Sequence, residues 1–231
     1  MAASYEKLGD LDNALEHYHK ALIGREMQLG ADNPRTLSSV VAVSSIYNAR
    51  GDTNTACDLL LRAIKGFEKR CGEDHITTLS AKYKLAEVYR GKSMLQMSLK
   101  LHQEVLDRKR ATLGPNLAPT LNSEHTIGII YQQMKQHNVT ILHLRRALEG
   151  REQSLSRVHS LTTSIALDLA SAHFDSDQPV EAIKYYNQAL EGIQYRNPGS
   201  RTAGLVTTAN IALCYSGSRT ILRLSHCTDK F

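Results

Sequence analysis

Apolar positions along this chain come in paired stripes, each with the period of an α-helix. In the stretch TLSAKYKLAEVYRG, Leu79, Leu85, Val88 and Tyr89 share one side of a helical wheel. In QMSLKLHQEVLDRKR, just beyond, Leu99, His102, Val105 and Leu106 share one side of a second. Short polar joints separate the two helices of a pair: Gly51-Asp52, then Lys92-Ser93, then Asp175 to Gln178. Breaks such as Gly30-Ala31-Asp32-Asn33-Pro34 divide each pair from the next. There Asn33 is placed to cap the following helix, and Pro34 suits its first position, where no backbone donor is needed.

These stripes recur with a period of 42 residues and need no insertion or deletion from Met1 to about Ser216. One column reads Leu37, Leu79, Leu121, Thr163 and Leu205, preceded by Thr36, Thr78, Thr120 and Thr162. Another reads Tyr5, Tyr47, Tyr89, Tyr131, His173 and Tyr215, and three residues before it stand Ala2, Ser44, Ala86, Gly128, Ala170 and Ala212. The second helix of each pair contributes Ala14, Ala56, Ser98, Thr140 and Ala182, then Gly24, Gly66, Gly150 and Gly192. Small residues in register let the two helices approach closely. One such pair cannot bury its apolar stripe alone, so neighbours must stack into a solenoid.

The columns resemble the tetratricopeptide repeat, as in Ser44, Tyr47, Ala56, Leu60 and Ala63, or Ala170, His173, Ala182, Tyr186 and Ala189. The 42-residue spacing and the run Leu29-Gly30-Ala31-Asp32-Asn33-Pro34-Arg35-Thr36-Leu37 are similar to kinesin light chain repeats. The run survives at Cys71-Gly72-Glu73-Asp74 with Thr78-Leu79, and more loosely at Leu113-Gly114 with Thr120-Leu121. The resemblance implies an all-α, right-handed superhelical solenoid of antiparallel helix pairs. About five repeats are expected over 1–217, the first and last incomplete, with an irregular tail at 218–231.

It also implies a concave groove, lined by first-helix positions, that takes peptide segments of partner proteins. Aligned on the small-residue column, the lining comprises Ser38, Ala42, Ser45, Ser80, Lys84 and Glu87, then Asn122, Thr126, Ile129, Ser164, Asp168 and Ser171. Of the Lys, Asn and Arg set by which chaperone-binding repeats hold a C-terminal carboxylate, only Lys84 has a counterpart, so no such clamp is expected. The Asn expected two residues before the small column of kinesin light chain repeats appears only at Asn210; Ala42, Lys84, Thr126 and Asp168 stand at the earlier positions. The heptad coiled coil of the light chains is absent from the sequence.

Composition and charge change this picture little. With 42% hydrophobic and 22% charged residues, 5 Pro and 14 Gly, the chain is globular and leans helical. It has no run of 18 apolar residues. Its first twenty residues hold Glu6, Asp10, Asp12 and Glu16 in place of an apolar signal core, so a cytoplasmic setting and no membrane partner are expected. The net charge is +5, concentrated in residues 60–112, where 12 basic face 6 acidic side chains. Non-specific nucleic-acid binding through that segment is an alternative, and a recognition arm of a larger signalling ATPase is another.

Catalytic and metal chemistry find no support in the spacing. No HExxH, CxxC or glycine-rich phosphate loop occurs, so no enzyme, cofactor or metal is expected. His102 and His173 sit in core columns, and His75 and His159 share a column at helix starts. Cys57, Cys71 and Cys214 occupy apolar columns, and Cys227 lies in the tail. Asn138-Val139-Thr140 reads as the start of a second helix rather than a glycosylation acceptor. Incomplete units at both ends imply exposed apolar surface, a portion of a longer array, and self-association through those ends.

Overall fold

A computed structural model describes residues 2–196 and 201–216, and every element in them is helical. The helices are α1 (Ala2–Lys7), α2 (Leu11–Leu29), α3 (Pro34–Ala49), α4 (Thr53–Cys71), α5 (Ile76–Gly91), α6 (Leu95–Leu113), α7 (Ala118–Gln133), α8 (His137–Ser154), α9 (Ser160–Asp175), α10 (Pro179–Arg196) and α11 (Arg201–Ser216). Odd-numbered helices are the first, or A, helices of the repeats and even-numbered ones the second, or B, helices. The chain divides into two compact units, Met1–Leu113 and Gly114–Phe231. The expected tail at 218–231, with Cys227, lies outside the described residues.

Local chemistry sets the helix ends. Asp10 and Asp52 accept from the amides of Asn13 and Thr55 and start the B helices α2 and α4. Asn33 caps α3, with Pro34 in its first turn. His75 and His159 do the same for α5 and α9: Nδ1 accepts from the amides of Thr77 and Leu161 at 3.3 and 3.2 Å. The threonine column acquires a role here. Thr78 and Thr120 donate to the carbonyls of Gly72 and Gly114 at 2.7 and 2.8 Å, tying each A helix to the loop before it. Thr162 Oγ1 has no partner among the described residues, and there Ser156 replaces the glycine of the other loops.

In unit 1, Leu37, Val40, Val43, Ala56, Leu60, Ala63, Phe67 and Leu85 form the core, with Cys57 buried and Cys71 half-buried against it. Unit 2 packs Leu144, Ala147, Ile165, Leu169, Ala170, Ala182, Tyr186 and Cys214. Burial pushes the thiols of Cys57 and Cys214 up, which keeps them in the uncharged form. His102 and His173 are core residues, as their columns imply. Asn138 and Thr140 lie in the first turn of α8.

Pairing of A with B depends on the glycine column. A Cβ added at Gly66, Gly150 or Gly192 would lie 2.6, 2.4 or 2.2 Å from Leu37, Leu121 or Thr163 on the facing A helix. At Gly24 it would meet nothing within 4 Å. A second column, at the turn from A to B, takes positive φ throughout: Gly9 77°, Gly51 85°, Ser93 59°, Lys135 59° and Asp177 60°. The last three hold a conformation that costs side-chain-bearing residues about 1–2 kcal/mol.

These columns predict the outcome of three glycine substitutions. Gly66→Ala and Gly192→Ala lower the unfolding free energy by about 1–2 kcal/mol, because overpacking outweighs alanine's better helix propensity, while Gly24→Ala raises it by about 0.5–1 kcal/mol. Denaturant melts of the three variants check the contrast. Lys135→Gly raises stability by about 0.5–1 kcal/mol, the relief of backbone strain exceeding glycine's added entropy in the unfolded chain, and shows as a higher melting temperature.

Candidate functional site

On each A helix the buried columns leave one row facing out. In unit 1 that row holds Ser38, Ala42 and Ser45 on α3 and Ser80, Lys84 and Glu87 on α5; all are exposed or half-buried. Ser38 and Ser45 donate back to the carbonyls of Pro34 and Val41, at 2.8 and 3.1 Å, which holds their hydroxyl oxygens in place as acceptors. Lys84 Nζ reaches across from α5 to Ser45 Oγ at 3.1 Å. That contact brings together two of the residues singled out from the sequence.

Glu87 is held differently. Its carboxylate accepts from Arg90 at 2.8 Å and lies 3.0 Å from Nε2 of the buried His102. Burial raises its pKa, but the hydrogen bonds from His102 and Arg90 outweigh that and hold it at about 2. Glu87 therefore lines the row while spending its oxygens inside the fold. Periodicity gives the side of the helix but not this engagement with α6.

In unit 2 the row holds Asn122, Thr126 and Ile129 on α7 and Ser164, Asp168 and Ser171 on α9. Asp168 Oδ2 lies 2.7 Å from Nε2 of His125, so the two A helices are joined across the row. Gln132 donates to Ser171 Oγ at 3.4 Å. Beneath Asn122 lies Arg151 of α8, which donates to the Asn122 side-chain oxygen and to the Ala118 carbonyl. Among the described residues Arg151 has no carboxylate partner, and burial pulls its pKa down. Its column runs Arg25, Phe67, Lys109, Arg151 and Ile193, so the repeat marks a recurrent cation there without showing its contact with Asn122.

Two buried polar clusters sit behind the rows. Lys82 of α5, 8% exposed at its side chain, bonds Glu68 of α4 and Glu104 of α6, each at 2.8 Å. Glu124 of α7 and His143 of α8 are 2.7 Å apart, with His143 stacked on Tyr131. Sequence columns missed both, since at the Lys82 and Glu124 position the other repeats carry Val40 and Ala166. Two open hollows lie off the rows. One surrounds the α7–α8 turn with Lys135, His137 and Gln178, and the other lies beside α4 with Asp58, Arg62 and Lys69.

In the basic stretch 60–112, half of the twelve cations, Lys82 and Arg90 among them, have a carboxylate beside them. Arg62 pairs with Glu26, Lys69 with Asp32, Arg108 with Glu73 and Asp74, and Arg110 with Asp107. Among the described residues no His, Cys, Asp or Glu side chains cluster as metal ligands, and no helix is long and apolar enough to cross a membrane.

Stacked two-helix units with small residues at the A–B crossing define a helical-repeat protein. The tetratricopeptide repeat family model matches at residues 1–69, 40–111, 77–153 and 119–194, and the chain belongs to that family. Its repeats recur every 42 residues, a spacing similar to that of kinesin light chain repeats. No curated protein matches the sequence. Solved structures share the fold at low identity. BtubC (BKLC) of P. vanneervenii superposes with a TM-score of 0.76 at 17% identity, covering 85% of this chain and 78% of its own. Putative kinesin light chain repeats of Podospora anserina give 0.72 at 21%, covering 87% and 94%. The apo form of RapI gives 0.76 at 18%, covering 94% and 80%. Family and fold are those of a protein-interaction scaffold.

The Glu87 cluster makes a pH-dependent prediction. Its carboxyl titrates at about 2 in the fold and near its ordinary 4.5 when unfolded, so its stabilisation is complete above 4.5 and is lost as pH falls towards 2. For a side chain 30% exposed, solvent screening reduces the contribution to about 1–2 kcal/mol. Glu87→Gln lowers stability at neutral pH by that amount and flattens the fall between pH 4.5 and 2, read by urea titrations across that range.

Proposed function

We propose that the chain is a non-catalytic adaptor whose outward A-helix rows bind peptide segments of partner proteins. The observation that carries this reading is the chemistry of those rows. Buried columns on either side are apolar or internally paired, while the rows present small hydroxyls and amides: Ser38, Ser45, Ser80, Asn122, Thr126, Ser164 and Ser171. Small polar groups let a backbone approach and offer it hydrogen bonds. Lys84 supplies the accessible cation of the unit 1 row, and Ile129 an apolar contact in unit 2. Family membership supports the class of function, and the rows support where on the A helices it resides.

Nucleic-acid binding through 60–112 is the weaker reading, because half of its twelve cations already have carboxylates beside them. The experiment is a random-peptide selection on the intact chain, followed by fluorescence-anisotropy titration of the selected peptides. Lys84→Glu and Ser164→Tyr are expected to weaken binding tenfold or more with helicity unchanged. Full affinity in both variants, with loss on Lys65→Glu or Lys100→Glu of the B helices instead, would overturn the proposal.

A further inference from the structure

Arg151 of α8 is a buried cation without a counter-charge. It is 4% exposed, and among the described residues its bonds run from Nη2 to two neutral oxygens, the Ala118 carbonyl and Asn122 Oδ1. Its Nε and Nη1 have no acceptor there, and neither is wholly enclosed. Two other cations are provided for differently. Lys82, also buried, holds two carboxylates, and Arg25, in the same column as Arg151, is exposed to water.

The helices around Arg151 offer it no acid. Helix α7 has one, Glu124, which lies against His143. On α8, Glu152 turns to Arg157 and Gln188, and Glu149 stands two residues before Arg151, on another side of the helix. Asp168 of α9 lies against His125. A guanidinium taken out of water with only neutral acceptors is costly to hold, and burial accordingly pulls its pKa down. Above it, Asn122 is exposed on the outward row. Because a guanidinium accepts nothing, Oδ1 must be the amide atom that faces it, so Nδ2 and its two hydrogens turn outward. Nδ2 has no acceptor among the described residues.

We propose that this part of the unit 2 row is a subsite for one acidic side chain, an Asp or Glu of a bound peptide segment. Asn122 Nδ2 donates to its carboxylate, and Arg151 behind Asn122 supplies the opposite charge. This inference rests on the reading that the rows take peptides, and it names a group that those peptides carry. One carboxylate matches the one unmatched charge. The row continues past Asn122 to Thr126 and Ile129 on α7 and to Ser164 on α9, so the acid belongs to a side chain within the segment rather than to a chain end. The cation comes from a B helix beneath the row, unlike the A-helix set of a carboxylate clamp, of which only Lys84 has a counterpart here. Enclosure works in favour of the contact, because a charge-assisted bond is stronger where water is scarce.

The test uses the intact chain and fluorescein-labelled, C-terminally amidated peptides selected on it from a random library. Each peptide is paired with a copy in which Gln replaces Glu and Asn replaces Asp. The native chain should lose about tenfold in affinity on the exchange, and Arg151→Met, its helicity checked by circular dichroism, about twofold or less. Asn122→Asp supplies the missing charge within the chain. It should raise the melting temperature by about 2–4 °C, with no rise in the Arg151→Met background, and abolish the preference for acidic peptides. If Arg151→Met does not fold, the two readouts of Asn122→Asp decide. An exchange that costs the native chain nothing, or costs it and Arg151→Met alike, would overturn the proposal. So would a melting temperature that Asn122→Asp leaves unchanged or lowers. Binding undiminished by Ser164→Tyr would sink the row reading itself, whereas peptides lost on Ser164→Tyr yet indifferent to the exchange would sink this subsite alone.

Discussion

The close crossing of an A helix over its B partner is the constraint on which this architecture rests. At Gly66 and Gly150 the facing leucine occupies the space of an absent side chain, which converts a lack of atoms into a filled contact. Dispersion and apolar burial both scale with such approach, so a residue of any size in the column costs packing along the whole pair. The small residues Ser44, Ala86 and Ala170 act in the same way from the A side. Arg108 shows the limit of the rule. It stands at the glycine position of α6 and leans out to Glu73 and Asp74, which keeps its guanidinium out of the crossing.

Buried charge is the second theme, and it follows from the first. The column of Val40, Lys82, Glu124 and Ala166 is closed to solvent in each of these repeats, so an ionisable side chain there survives only with a partner supplied by a neighbouring helix. Lys82 finds Glu68 and Glu104, and Glu124 finds His143. Such pairs add little net stability over apolar residues of the same size. They do distinguish otherwise equivalent units, because a shift by one repeat would bury Lys82 or Glu124 without its complement. The apolar columns alone would tolerate that shift.

The sequence made the backbone legible because backbone demands repeat. Asn33 at a helix start, the glycines at the crossings and the tyrosine column each answer a need that returns every 42 residues, so register is visible as repetition. The histidines were legible for the same reason: His102 and His173 inherit core columns, and His75 and His159 a capping column. What could not be read is whatever breaks the repeat. Glu87 lies on the outward row as periodicity implies, yet its bonds to Arg90 and His102 depend on side-chain reach between helices. Arg151 shares its column with the cations Arg25 and Lys109, but its bond to Asn122 likewise depends on reach between helices and could not be read from the column.

That division bears on where specificity can reside. A column that must satisfy packing has no freedom to encode a ligand, and in this chain such columns take up most of each A helix. The outward row is free of that demand, and there the residues differ from unit to unit: Ser38 and Ser45 in one, Ser80 and Lys84 in the next, Thr126 and Ile129 after that, then Ser164 and Asp168. Varied chemistry on the rows suits the discrimination of ligands, a task that the invariant packing columns cannot share.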